Sequence, residues 1–582
     1  MVGFAGLGLV TAIGLAGVPF CKARVYESLA GLPRNKAYDF IVVGSGPGGA
    51  TVASRLSEDR QVTVLLVEAG PNDEGVQQLQ VPGQYFAINE TYNWNYMTTP
   101  QTGLNDRSIP YARGHVLGGT SSTNGMAYTR GARDDYDNWA KITGDQGWRW
   151  DKLVPYFKKN ENWTAPLSGR NISGEFDPSV HGYGGELQTS LAWGGPTRVD
   201  ELAFEVTEDS TEFPFVLDYN AGRPLGVGWS PLTIGNGERS SASTAYLSPA
   251  VRRRRNLDIV VNTYALRAIP TGNRRVLDVR TVELGVRFSD RATVKLTARK
   301  ELILAAGTFG TPQILLNSGI GDRNDLRRAG VTPIHHLPDV GRGMTDHVTV
   351  TASFAAVDIP QPPPSIDPLE QWLGNRTGPL SEPYQSHHVV WSKFPSNSSL
   401  WSSYQDPSPG KTAPHVEIIP IVYNGGFGAP IIALLSPYSR GSVKINSTDA
   451  YADPLIDLGF LTHPFDMEAM REALRLAKRF FGHQAWEGYI LSSLTPDPES
   501  PTFEQEVRDI AGGLWHPVGT AAMSARNSKR GVVDPDLRVK GITGLRIVDA
   551  SVIPYVPAAH TQAPVYVLAE RISDVIKATW RR

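Results

Sequence analysis

The apolar residues of this chain fall into a few repeating patterns, and each predicts an element. Two short unbroken apolar runs, Phe40–Val43 and one ending at Glu68, flank a stretch with helical spacing, so residues 39–70 read as strand, helix and strand. Between residues 257 and 304 the β-branched runs LDIVVNTYAL, RTVELGVRF, ATVKL and KELILAAG are separated by turn residues and predict strands. The last runs into Gly307-Thr308-Phe309-Gly310-Thr311-Pro312 and the apolar ILLNSGIG, a second strand, glycine turn and helix start. Further along, HHVVWSKF, PHVEIIPIVY, IIALLSP and GSVKI predict more strands, while Met467, Met470, Leu474, Ala477 and Phe481 recur at helical spacing within residues 466–489 and read as core. A short strand, LRIVD, and a helix over residues 563–580 with Pro564 near its first turn close the chain.

These patterns divide the 582 residues into lobes. Residues 36–345 read mainly as an α/β, Rossmann-like dinucleotide-binding lobe, interrupted at about 151–215 by an irregular insertion over the active site. Residues 346–500 open with the stiff QPPPSIDP and then set runs of strands against one helix, which predicts an α+β lobe built on an antiparallel sheet. Residues 501–582 return to the first lobe. No internal repeat is visible.

Charge and cysteine content narrow the partners. A net charge of −2 gives no field to gather nucleic acid, and the short run Arg252 to Arg255 reads as a solvated corner. The lone Cys21 excludes a disulfide framework or thiolate metal site. Residues 1–24 hold an uncharged apolar stretch (3–21) before Lys22 and Arg24, expected to be a cleaved signal peptide, or else a retained anchor, which alone would bring the chain to a membrane. N-x-[ST] patterns at Asn89, Asn162, Asn171, Asn375, Asn397 and Asn446 fit a secreted glycoprotein.

The chemistry begins at Gly44-Ser45-Gly46-Pro47-Gly48-Gly49, between the first strand and helix. Gly44 would let the chain turn, Gly46 would let backbone approach a pyrophosphate, and Gly49 would let helix and sheet pack closely. Glu68 stands where a carboxylate bonds an adenosine ribose, so the segment reads as a site for NAD or FAD. The loop from Arg113 to Gly125 mixes glycine, hydroxyl and asparagine residues, a composition suited to a planar ring and equally to a local turn. His516 is fixed between Trp515 and Pro517, and His560 sits just before the last helix.

Taken in order, GSGPGG with Glu68, RGHVLGGTSSTNG, GTFGTPQILLNSGIG, HPVGT and AAHTQ resemble the glucose–methanol–choline oxidoreductase family of FAD enzymes over nearly all of residues 38–582. DPSVHGYGG, WHPVGT and DASVIPYVPAAHTQAPVY are most similar to fungal extracellular members, the pyranose dehydrogenases and aryl-alcohol oxidases. The resemblance implies FAD held by Gly44, Ser45, Gly46, Pro47, Gly49, Glu68 and Ala69 at the adenine end, with Ala265 touching it there through its backbone. It places Arg113, Gly118, Gly119, Asn124 and Gly125 beside the flavin, Asp549 and Ala550 at the pyrophosphate, and Thr561 and Gln562 at the ring. His516 and His560 match the paired active-site residues. Members that tether FAD covalently use a histidine where this chain has Thr123, so dissociable FAD is expected; His115 replaces a usual Arg or Lys.

Oxidising an alcohol removes a hydride from carbon and a proton from oxygen, and a histidine with an ordinary pKa of about 6.5 can take that proton. His516 is expected to be the base and His560 to orient the same oxygen, with oxygen or a quinone as final acceptor and a monomeric enzyme. The remaining histidines, including the pairs His335/His336 and His387/His388, read as structural because strand neighbours face opposite ways and no cluster has metal spacing. Trp515, Trp391, Phe394 and Tyr423 are expected to line the substrate pocket. Sugar, aryl alcohol and secondary-metabolite alcohol remain open as substrates, as do a nicotinamide-dependent dehydrogenase, a lyase on the same fold without net oxidation, and a non-catalytic binding protein. The absence of a G-x-S-x-G elbow argues against a serine hydrolase.

Overall fold

The structure is a computed structural model that describes residues 25–33, 36–272, 276–287, 293–359, 364–383 and 386–581. The apolar N-terminal stretch with Cys21 lies outside them.

The first lobe is built on a six-stranded parallel sheet in the order Val25–Tyr26, Leu257–Val260, Val64–Val67, Phe40–Val43, Glu301–Leu304, Leu545–Ile547. Its four central strands are buried at every position, as expected where helices cover both faces, and this is why they read as unbroken apolar runs. Their ends are in register: Val43 pairs with Val67 and Leu304, and Leu304 with Ile547. The residues that follow these ends therefore emerge at one edge, the place where ligands bind in open parallel sheets. LDIVVNTYAL divides between two sheets. Leu257–Val260 stays in the parallel sheet, and after Asn262 (φ 52°) the strand Tyr264–Pro270 joins an antiparallel sheet with Val279–Gly285 and Val294–Thr297.

The second lobe is a six-stranded antiparallel sheet, in the order Gly512–Gly513, Val348–Thr351, Ile431–Leu434, Val416–Ile419, His388–Ser392, Gly226–Trp229. The helix Pro464–Phe481 packs on it through buried Met467, Met470, Leu474 and Ala477. It stops at Gly482 and continues only as a 3-10 turn at Gln484–Trp486, short of the 466–489 span its periodicity predicts. The closing helix, Gln562–Trp580, lies against Pro47–Leu56, where the buried Arg55 guanidinium meets Glu570 at 2.7 Å and locks the end of the chain to its beginning.

Candidate active site

A cavity of about 710 Å³ opens at the carboxyl edge of the parallel sheet and extends beneath the antiparallel one. Gly44 turns the chain at φ 94°, and a Cβ there would lie 2.3 Å from the Ala305 carbonyl oxygen. A Cβ on Gly48 would meet Val548 O at 2.0 Å and one on Gly49 would meet Gly44 O at 1.9 Å, so both positions are closed to larger residues. At Gly46, which lines the cavity, an added Cβ meets nothing within 4 Å. The turn is thus packed tightly behind and open in front, the shape a pyrophosphate requires at a helix start.

Glu68 holds this turn together: its Oε2 accepts from Ser45 N (2.9 Å) and Ser45 Oγ (2.5 Å), and its Oε1 from Gly70 N (2.8 Å). Oε1, with a single donor, keeps a lone pair for a ribose hydroxyl. Ser45 Oγ also accepts from Gly118 N (3.0 Å), tying the turn to the loop after Arg113. In that loop Gly118 (φ 93°) and Gly119 (φ 56°) take left-handed conformations. Arg239 donates to both Asn124 O (2.6 Å) and Asn124 Oδ1 (2.9 Å) and fixes the loop's end. Asp549 accepts from Gly307 N and Thr311 Oγ1, joining two strand ends. Gln562 donates to Ala127 O (2.7 Å), while its buried Oε1 has no protein partner. The open front at Gly46 and this orphaned acceptor fit a long, polar, ring-bearing cofactor. His115 is engaged elsewhere, with Tyr264 OH (3.1 Å) and Thr91 O (3.3 Å).

Gly44, Ser45, Gly46, Pro47, Glu68, Ala69, Arg113, Gly119, Asn124, Gly125, Ala265, Asp549, Ala550, Thr561 and Gln562 all line this one cavity. Gly49 and Gly118 shape its wall from behind.

His516 and His560 face each other across the cavity with ring centres 5.2 Å apart. His516 N donates to Asp346 Oδ1 (2.8 Å), and Tyr111 OH bonds the other oxygen of the same carboxylate. Its ring orientation is set by His347, which is fully buried. His347 Nε2 lies 3.0 Å from Pro557 O, and a carbonyl only accepts, so the proton of His347 sits on Nε2. Its Nδ1 is therefore an acceptor, and His516 Nδ1, 3.1 Å away, must be the donor. This leaves Nε2 of His516 as an unprotonated base. Burial pushes the His347 imidazole down to about 3 and the His560 imidazole down to about 4. Burial with the nearby His347 lowers His516 well below the ordinary range, so all of these rings are neutral at neutral pH.

His560 Nδ1 bonds Thr129 Oγ1 at 2.9 Å, while Nε2 stands 3.2 Å from Glu417 Oε1 without hydrogen-bond geometry. Thr129 Oγ1 also accepts from His560 N (2.8 Å). Glu417 is fully buried, neither of its carboxyl oxygens has a hydrogen-bond partner, and burial pushes its carboxyl up to about 8, so it is largely neutral at pH 7.

The expected pocket aromatics separate. Trp515 and Tyr423 line the cavity. Trp515 has φ 59°, an uncommon value for a bulky residue, and its carbonyl is held by Arg113 Nη2 at 2.7 Å. Trp391 is buried behind His560, ring centres 6.1 Å apart, and supports it without lining the cavity. Phe394 belongs to the core of the second lobe, stacked on His415, whose Nδ1 accepts from Phe394 N (3.0 Å). It follows the strand His388–Ser392, where alternation no longer governs its direction. His387 and His388 both reach Asp200, at 3.1 and 2.6 Å, because His387 precedes that strand.

Thr129, Asp346, His347, Arg239 and Glu417 are absent from the sequence expectations. Glu417 alone left a signal, an acid inside the apolar run VEIIPIVY. Among the described residues no group of three or more His, Cys, Asp or Glu side chains is placed to hold a metal.

A dinucleotide cradle whose far end meets two neutral imidazoles beneath an antiparallel sheet defines a flavin-dependent oxidoreductase. Family profiles described as GMC oxidoreductase match residues 38–349 and 437–569, and the chain belongs to that family. It is similar to the dehydrogenase eriK of Hericium erinaceus, 39% identical over 96% of this chain and 97% of that one. Pyranose dehydrogenase 3 of Leucoagaricus meleagris is 38% identical over 96% of each chain. Among solved structures, a formate oxidase of Aspergillus oryzae superposes with a TM-score of 0.83 at 28% identity, over 94% of this chain and 99% of that one. The protein is an FAD enzyme that oxidises alcohol-type donors. The nicotinamide-dependent and lyase readings are not favoured by these likenesses.

Proposed function

We propose that His516 Nε2 takes the hydroxyl proton of an alcohol while His560, backed by Glu417, positions the same oxygen. The observation that carries this is the chain Pro557 O to His347 to His516, which leaves one imidazole lone pair in the cavity with no protein partner assigned to it. FAD, when bound, supplies the acceptor for the hydride that leaves carbon. Thr561 and Gln562, at the start of the Gln562–Trp580 helix, line the cavity, and the helix lends positive potential there. Replacing His516 with Ala should slow flavin reduction by about 10²- to 10⁴-fold in stopped flow with FAD content unchanged. Near-normal reduction would exclude the assignment.

Thr123 lines the cavity in the tether position and supports dissociable FAD, released on mild denaturation. On this reading residues 36–345 with 501–582 form mainly the FAD lobe, lending Gly226–Trp229 and Gly512–Gly513 to the other sheet, and 346–500 are mainly the substrate lobe, with oxygen or a quinone as acceptor and a monomer as the working state. A secreted glycoprotein is supported by Asn89, Asn171, Asn375, Asn397 and Asn446, which are exposed; Asn162 is half-buried. No helix among the described residues is long and apolar enough to cross a membrane.

A further inference from the structure

The cavity-facing side of the antiparallel sheet can be read row by row. Trp391 stands opposite Glu417, and Glu417 opposite Ala433; this row lies directly behind His560, 3.2 Å from its Nε2 through Glu417. Side chains alternate across a strand, so the next row on the same face is two residues along, about 7 Å away. It runs Val389, Ile419, Ile431 and Thr351, with Ile431 directly between Ile419 and Thr351, and all of them line the cavity. Only Thr351, at the end of the row, carries a hydrogen-bonding side chain, and Val389, Ile419 and Ile431 carry none. Leu514 lines the cavity and shares an apolar cluster with Val389. Along the strand that carries Trp391, the next polar side chain on this face is His387, roughly 13 Å away.

An alcohol whose carbinol group sits at His516 and His560 must rest its body against this row. A pyranose would bring ring hydroxyls to it, and each hydroxyl stripped of water without a partner weakens binding by about tenfold or more. An apolar body loses nothing polar there and gains the burial of its own surface. We propose that the substrate is an alcohol with an apolar body of one or two rings or a comparable unsaturated chain, and that Val389, Ile419 and Ile431 select it against pyranoses. This rests on the reading of His516 and His560 as the alcohol site. Relatives named as pyranose dehydrogenases suggest a sugar; the chemistry of this row opposes it.

The test uses the holoenzyme and follows flavin bleaching in stopped flow with 4-methoxybenzyl alcohol, geraniol, glucose and galactose. The apolar alcohols should show a second-order reduction constant at least about 100-fold above either sugar. Ile419→Gln should lower that ratio about tenfold or more with FAD content unchanged. Val389→Thr, nearly the same shape, should lower it less and serves if the glutamine variant misfolds. Binding of 4-methoxybenzaldehyde, read by quenching of tryptophan fluorescence, should weaken about tenfold in Ile419→Gln. Sugars that bleach the flavin as fast as the apolar alcohols, or a ratio and aldehyde affinity unmoved by both variants, overturn the proposal. If no alcohol of either class bleaches bound FAD, the His516 reading falls instead, while aldehyde affinity still reports whether the row selects apolar ligands.

Discussion

The two sheets of this molecule meet at one cavity and encode their share of it in opposite ways. At the edge of the parallel sheet function is local: Gly44 and Glu68 follow directly on strand ends, Asp549 comes two residues after one, and backbone contacts as short as 1.9 Å dictate glycine at 44, 48 and 49. On the antiparallel sheet function is distributed. Trp391, Glu417 and Ile431 are single positions on three separate strands, and their neighbours are remote in sequence, as His560 is from Glu417. The first region is closed to larger residues at Gly44, Gly48 and Gly49 and says nothing of the substrate; the second is where the proposed selection of substrate lies.

Substitutions in each region sharpen this contrast. The largest effect belongs to the cradle: Gly49→Val drives a side chain into Gly44 O, and the purified protein should be colourless, checked by the flavin absorbance band. A stoichiometrically yellow variant would break the distinction. Next comes the relay: His347→Phe keeps the cavity wall but frees the His516 tautomer, and flavin reduction should slow about 10- to 100-fold with FAD retained.

Glu417→Gln should act mainly through pH. The carboxyl titrates at about 8 in the fold against 4.5 ordinarily, so the folded state holds the extra proton. Its stabilising contribution is fully present below about pH 4.5 and is lost as pH rises through about 8. The glutamine variant should therefore lose less Tm than the parent between about pH 6 and pH 9, measured by thermal unfolding. The smallest effect on chemistry is expected from Phe394→Leu, which should cost about 1–2 kcal/mol of stability and leave flavin reduction unchanged, since this ring is 4% exposed and packs away from the cavity.

What was legible in the sequence follows the same line. The parallel strands were readable because burial on both faces leaves unbroken apolar runs, and the cradle because its glycines are forced by contacts within a few residues. The helix Pro464–Phe481 was readable in type and core face, and only its end was misplaced. Gly226–Trp229, which pairs with His388 to Trp391, carries no strand signal with two glycines in four residues. His347 was passed over because a histidine beside an aspartate has no spacing signature; its meaning arises only when Pro557 O lies 3.0 Å from one nitrogen and His516 3.1 Å from the other. Aromatic character drew Phe394 into the expected pocket, although direction, which composition does not carry, sends it to the core.

The pH dependence of flavin reduction tests most directly whether His516 is held as a neutral base. With His560 at about 4 and His516 also held well below 6.5, the limiting rate of reduction should be flat from about pH 8 down to about pH 5 and fall only in more acid solution. A rate that instead climbs through an apparent pKa near 6.5 or higher would contradict the relay, because the base would then titrate as an ordinary histidine.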